Sequence, residues 1–372
     1  YILEMVDITK KFPGIVALKD VDLALKRGSV KAIVGENGAG KSTLIKILSG
    51  AHTPDTGTIT IDGETFCAMN PALSIAKGIS VIYQELNLVP QLTVYENIFL
   101  GKEDTKRGFL DHASMRAAAQ QVLDSLGIDI NPNEKVKNLS AGYKQLVEVA
   151  KSIVHNAKIF VLDEPTSSLS NSEVSALFRI LKDLKQQGTS MIYISHRLEE
   201  IFELCDEVTV LRDGEVVDTC DIAQVDRKAL ISMMVGRELS ETYPPRLMDL
   251  SPEPALVVTQ MRRNGMPDIS FHLNKGEILG FAGLVGAGRT ETLRALFGAD
   301  GPVQGEVVLE GEKLSIREPR DAINAGIGFL PEDRKLQGLN LIATISKNVS
   351  ITNLDSIKKG PLLSKLVIET FL

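Results

Sequence analysis

The feature that most constrains this chain is that it repeats itself. VGENGAGKSTL (Val34–Leu44) aligns with AGLVGAGRTETL (Ala282–Leu293) so that Lys41 falls on Arg289, an offset of 289 − 41 = 248 residues. The same register pairs Gly28 with Gly276, Gly50 with Gly298, Gly57 with Gly305, Gly63 with Gly311, Pro71 with Pro319, Gly78 with Gly326 and Ile79 with Ile327. Glycine and proline mark positions of positive φ, close approach or fixed φ, which two copies of one fold share. A chain of 372 residues is also longer than one ordinary core supports.

Between the copies, around Leu239–Pro254, the helix-like ISMMVGREL gives way to YPPRLMDLSPEP, whose four prolines sustain neither helix nor central strand. The expected division is a first domain over 1–240, a linker over 241–254 with its boundary near Ser251, and the start of a second domain over 255–372. In the first copy Val30–Val34, Ile159–Leu162, Met191–Ile194 and Val208–Leu211 are short β-branched apolar runs separated by helical patterns, which predicts an α/β sheet of buried strands.

Gly35-Glu36-Asn37-Gly38-Ala39-Gly40-Lys41-Ser42-Thr43 follows the strand-like KAIV and precedes the helix-like STLIKILSG, the context a phosphate-binding P-loop requires. Its glycines let backbone N–H groups face a polyphosphate at a helix N-terminus; Lys41 reaches the terminal phosphates and the Ser42 hydroxyl is a Mg²⁺ ligand. A glycine turn that only caps a helix would not need this flanking pattern. Ile159-Phe-Val-Leu-Asp-Glu164 is a buried strand ending in two acids, predicting Asp163 toward Mg²⁺ and Glu164 toward an attacking water. Strands often end in solvated carboxylates; the upstream P-loop tips the reading.

The formal net charge of −7 disfavours nucleic acid and anionic lipid as partners. Cys67, Cys205 and Cys220 are too widely spaced for a zinc site or a disulfide framework and fit a reducing compartment. No stretch reaches the roughly 18 apolar residues of a membrane span, and YILEMVDITKKF lacks a signal peptide's order. The expectation is that a partner supplies any membrane span.

Together these segments resemble the ATP-binding cassette family. The resemblance implies a P-loop NTPase of the ABC ATPase type, with two tandem cassettes, each an α/β core plus a helical subdomain, the second incomplete. It implies that Gln84 in VIYQEL is the Q-loop glutamine that touches Mg²⁺, and that Leu139-Ser-Ala-Gly-Tyr-Lys-Gln145 is the signature, placing Ser140 and Gly142 on the nucleotide of the opposing cassette. Ala141 and Tyr143 depart from that signature's usual residues. His196 becomes the switch histidine facing the γ-phosphate, Phe12 the ring on which adenine stacks, and Ser170 stands where the family commonly has Asp. A lone His or Phe elsewhere would more often be structural.

In the second copy Gly283, Gly286, Gly288 and Thr290 are kept, and Arg289 replaces lysine with a planar fork, an expectation of binding with impaired hydrolysis. Glu332 falls on the Q-loop place. The second signature, acidic strand and switch histidine are not within the 372 residues, so the expectation is a longer natural protein.

GLVGAGRTE, RALFGAD and GFLPEDRKLQGL, with GAHTPDTGTI and LDEPTSSLS in the first copy, resemble the tandem ATPases of bacterial importers for ribose, galactose, xylose, arabinose or autoinducer-2. That resemblance implies ATP and Mg²⁺ as cofactors, integral-membrane permease subunits as partners, an extracytoplasmic sugar-binding protein acting indirectly, no nucleic acid, and a peripheral place on the cytoplasmic face of the bacterial inner membrane. Two rivals are a ribosome-acting translation factor, which predicts a long charged helical linker, and a DNA-repair ATPase, which predicts coiled-coil or zinc insertions. The charged stretch Gly101–Arg116 reads as a solvated face or a permease contact.

Overall fold

The computed structural model describes residues 1–83, 87–106, 108–167, 169–236, 253–263, 265, 267–283, 286–331, 337–351, 358–359 and 362–363. By contacts the chain divides into two compact units, Tyr1–Tyr243 and Pro244–Leu372.

The first unit opens with β1 (Leu3–Phe12), β2 (Ile15–Leu25), β3 (Val30–Val34), α1 (Lys41–Leu48), β4 (Thr56–Ile61), β5 (Glu64–Phe66), α2 (Pro71–Ala76) and β6 (Ile79–Ile82). A helical stretch follows: α3 (Val94–Phe99), a small hairpin β7 (Thr105–Lys106) and β8 (Phe109–Leu110), α4 (His112–Ser125) and α5 (Ala141–Val154). The unit closes with β9 (Ile159–Asp163), α6 (Asn171–Gln186), β10 (Ser190–Ile194), α7 (Leu198–Leu204), β11 (Glu207–Arg212), β12 (Glu215–Asp221) and α8 (Arg227–Val235).

Two sheets result, an antiparallel one ordered β2-β1-β4-β5 and a six-stranded one ordered β12-β11-β3-β10-β9-β6, parallel except for β12. Every residue of β3 and β10 is buried, which is why these strands read as continuous apolar runs rather than alternating ones. Successive side chains still go to opposite faces. Val30, Ala32, Phe160, Leu162, Met191 and Tyr193 enter a core shared with α3–α7, while Ile33, Val161, Ile192 and Ile194 enter a second core with α1 and the antiparallel sheet.

The second unit repeats the antiparallel sheet as β14-β13-β15-β16, from β13 (Pro254–Arg262), β14 (Ile269–Asn274), β15 (Gln304–Leu309) and β16 (Glu312–Leu314), with α9 (Arg289–Leu296), α10 (Pro319–Asn324) and α11 (Ile345–Ile351). Element for element, α9, β15, β16 and α10 begin and end 248 residues after α1, β4, β5 and α2, as Arg289 on Lys41 (289 − 41 = 248) sets. The first strand does not keep that offset. Leu3 faces Ile61 and Leu256 faces Leu309, so β13 lies 256 − 3 = 253 residues after β1, and a positive φ recurs at the same bulge, 53° at Asp7 and 48° at Gln260.

The parallel layer is the part not repeated among the described residues. Ile278 is 98% exposed and Leu330 93%, where the counterparts of β3 and β6 would run. In the first unit β3 is held between β10 and β11; their counterparts at the repeat offset fall beyond residue 372. The second core is correspondingly small: Leu256, Val258, Met261, Ala295, Leu296, Val307, Ile316 and Ala322.

Candidate functional site: the edge where three strands end

Ile194 of β10 pairs with Ile33 of β3 on one side and Asp163 of β9 on the other. Three parallel strands therefore end abreast, and the chain leaves them as the P-loop, as Glu164 and as Ser195-His196. This is the carboxyl edge where α/β sheets place their ligands.

Gly38 and Gly40 adopt φ of 89° and 103°, and Gly40 is the left-handed N-cap of α1 with no side-chain cap, so the first N–H groups of the helix stay available to an anion. Added Cβ atoms would lie 2.1 Å from the Leu211 carbonyl oxygen at Gly35 and 2.7 Å from that of Ala17 at Gly40. Glu36, Asn37, Gly38 and Ser42 are exposed, Thr43 is half-buried and Ala39 is packed away. Lys41 is only 7% exposed, and its Nζ donates to the carbonyl oxygens of Gly35 (2.7 Å) and Glu36 (3.0 Å). Burial pulls its pKa down, and the charges of Glu164 and Asp163 oppose that pull.

Asp163 has its pKa raised, first by burial and then by the neighbouring Glu164 charge, with Lys41 and His196 pulling the other way. Two crowded carboxylates with an exposed hydroxyl at Ser42 are a hard-oxygen donor set that suits Mg²⁺, which takes one or two carboxylates and fills its shell with phosphate and water. Glu164 sits at φ 51°, its N–H donating to Ile194 O at 2.9 Å, and its Oε2 lies 2.8 Å from His196 Nε2. Left-handed φ at a non-glycine residue stores strain, and such residues gather at functional sites.

Ser140 caps α5 by accepting from Tyr143 N–H at 3.3 Å and donates to Glu173 Oε1 at 2.7 Å. The other oxygen of Glu173 accepts from the Ser170 hydroxyl (2.8 Å) and N–H (2.9 Å), and a Cβ on Gly142 would lie 2.3 Å from the Glu173 carboxyl carbon. Glu173 thus ties the Ser140 turn to the loop after β9, a role absent from the sequence reading. The signal was available: Ser170 and Glu173 have the S-x-x-E spacing of a capping box. Glu200, also missed, is a buried hub accepting from Thr166 (2.7 Å), Tyr193 (2.8 Å) and Ser195 (2.7 Å). It fixes the loops that carry Glu164 and His196.

Phe12 is half-buried and meets His52 edge-on, ring centroids 5.4 Å apart. In the second copy Gly286 and Gly288 take φ of 81° and 85°, Gly288 caps α9 as Gly40 caps α1, and Arg289 and Thr290 are exposed. A Cβ on Gly283 would lie 2.9 Å from the Ala287 Cβ. Gln84 and Glu332 lie outside the described residues. Away from this edge, a cavity of about 380 Å³ is lined by Tyr83, Asn87, Lys102, Glu148 and His155 among others. Burial raises the Glu148 carboxyl pKa there, although its Oε1 accepts from Asn87 N–H at 2.9 Å.

A family model described as ABC transporter matches residues 18–167 and 266–361. An Agrobacterium fabrum protein named for ribose/galactose/methyl galactoside import is similar at 47% identity over 358 residues, 96% of this chain and 71% of its own length. The ribose import ATP-binding protein RbsA of Bacillus licheniformis is 43% identical over 359 residues, 95% of this chain and 72% of its own. Among solved structures, the ADP conformation of an ATP-binding cassette of an ABC transporter matches 63% of this chain and 99% of its own, at 26% identity and a TM-score of 0.56. A dimeric cassette bound to ADP and phosphate matches 59% and 98%, at 28% identity and a TM-score of 0.52.

Proposed function

Because this chain belongs to the ABC transporter family, we propose that it is the ATP-hydrolysing subunit of a bacterial importer that moves a monosaccharide, or a related sugar derivative, through a separate membrane permease. The observation that carries the chemistry is the meeting of Lys41, Asp163 and the Glu164–His196 pair at one sheet edge. The cargo class rests on relatives named for ribose and galactose import. Those names do not support the ribosome-acting alternative.

In this reading the P-loop N–H groups and Lys41 hold the β- and γ-phosphates, offsetting their charge at the α1 N-terminus. Ser42, Asp163 and Gln84 would hold Mg²⁺, which when bound would supply positive charge against the phosphates. Glu164 accepts the proton of the attacking water as general base, and His196, held against it at 2.8 Å, faces the γ-phosphate. Phe12 stacks the base. Ser140 and Gly142 complete the site of an opposing cassette. Gly283, Gly286, Gly288, Arg289 and Thr290 form a second nucleotide site with impaired hydrolysis.

Residues 1–240 then form one cassette, 241–254 the linker, and 255–372 the amino-terminal part of another. Closure of two cassettes on ATP drives the permease, and hydrolysis reopens them. Among the described residues no helix is long and apolar enough to cross a membrane, consistent with a span supplied by the permease.

The test is to capture the full-length Glu164→Gln protein with ATP from detergent-solubilised cells and identify what copurifies. A multispanning permease is the expected result; ribosomal subunits without a membrane protein would overturn the reading.

A further inference from the structure

On the reading of both P-loops as nucleotide sites, the two copies also differ where the base would rest. In the first unit the β1–β2 hairpin lies against the P-loop: a Cβ on Gly40 would sit 2.7 Å from both the Ala17 carbonyl oxygen and Leu18 Cδ2. Phe12, at the turn of that hairpin, packs on His52.

In the second unit the corresponding strands are joined by a shorter segment. Ile8 pairs with Val21, and Met261 pairs with Ile269 at the equivalent rung; the chain takes 21 − 8 = 13 steps to return in the first case and 269 − 261 = 8 in the second. The five positions lost come from the segment that carries Phe12, and the sequence between the paired strands, residues 263–268, has no aromatic residue. Among the described residues, a Cβ on Gly288 would meet nothing within 4 Å, unlike its counterpart Gly40.

The floor under the missing ring has changed as well. Asp300 stands at the position of His52 and Arg294 at that of Lys46 in the repeat register. Asp300 pairs with Arg294, whose Nε lies 3.0 Å from its Oδ2, and with Arg263 at 3.5 Å. An arginine plane can carry a base, but both guanidiniums here are committed to Asp300.

We propose that the second P-loop holds its nucleotide by the polyphosphate alone, whereas the first adds a grip on the base. The inference rests on the reading of both P-loops as nucleotide sites and of Phe12 as the base platform. Base-on-aromatic stacking corresponds to about 5- to 150-fold in affinity. The first site should therefore favour a nucleotide over inorganic tripolyphosphate by a factor in that range, and the second should barely distinguish them.

Hydrogen–deuterium exchange on the full-length protein reads each P-loop separately, through peptides spanning 34–44 and 282–293, during titration with a non-hydrolysable ATP analogue or with tripolyphosphate. The expected result is a large midpoint difference between the two ligands at the first peptide and about equal midpoints at the second. An equal preference for the nucleotide at both peptides, or no protection of the second by either ligand, overturns the proposal. If the first peptide shows no preference, the Phe12 assignment falls, and the inference with it. Phe12→Ala provides a second check: it should bring the first peptide's ratio down to that of the second without changing its response to tripolyphosphate.

Discussion

Gly38 and Gly40 carry φ of 89° and 103°, Gly286 and Gly288 carry 81° and 85°, and each pair opens a helix with a left-handed glycine at its N-cap. The loops share these two glycine conformations but not an environment. Lys41 is buried, hydrogen-bonded to two carbonyl oxygens and set opposite Asp163 and Glu164, whereas Arg289 is exposed. Glycine spacing therefore specifies the shape of a phosphate cradle, while its chemistry depends on strands contributed from far along the chain. In the first unit those strands are β9 and β10; at the repeat offset their counterparts fall beyond residue 372.

That comparison can be broken at several points. The largest effect is expected from Glu164→Gln in the full-length protein: phosphate release should fall about 10²- to 10⁴-fold, the usual worth of a positioned base, with ATP binding retained. Near-normal turnover would move the base elsewhere and leave the first site no better assembled than the second. Next comes the cation pair. Lys41→Ala should abolish most turnover, and Arg289→Ala should change it modestly; equal losses in steady-state assays would make the sites equivalent.

Stability sharpens the same contrast. Phe160→Ala in the large core should cost about 3–5 kcal/mol and Met261→Ala in the small one about 2–5 kcal/mol, each moving the calorimetric transition of its own unit. A shift of both transitions by either substitution would mean that the two cores melt as one.

The smallest effect concerns pH. Burial raises the Glu148 pKa above its ordinary 4.5, so the folded protein binds that proton more tightly than the unfolded chain does. Stability is then lost as pH climbs from 4.5 through the folded value, and the ionised carboxylate is a net cost at neutral pH. Glu148→Gln should raise the melting temperature of the first unit at pH 7 and lose that advantage near pH 4. An advantage that persists unchanged at low pH would refute the account.

Much of this was legible beforehand because it is written in local chemistry. The buried strands announce themselves as β-branched runs, the P-loop as glycines between a strand and a helix, and the duplication as glycines and prolines in register. What stayed hidden depends on distant pairing. Nothing in His196 or Glu164 alone says that their side chains meet, because that follows from Ile194 lying beside Asp163. Glu200 reads as one more helix acid until Thr166, Tyr193 and Ser195 converge on it. The shortened β13–β14 turn was masked because the 248-residue alignment holds from Gly276 onward, whereas β13 lies five residues out of that register.

The backbone of Glu164, held at φ 51°, has a consequence for how this protein responds to selection. A left-handed position favours glycine or asparagine, so the residue that suits the fold there is not the one that suits the chemistry. Directed evolution for heat resistance alone should accept Glu164→Gly readily and reject Glu164→Val, drifting toward a sturdier and inert protein. On the proposal that Glu164 is the base, the carboxylate persists at that turn only for as long as turnover itself is under selection.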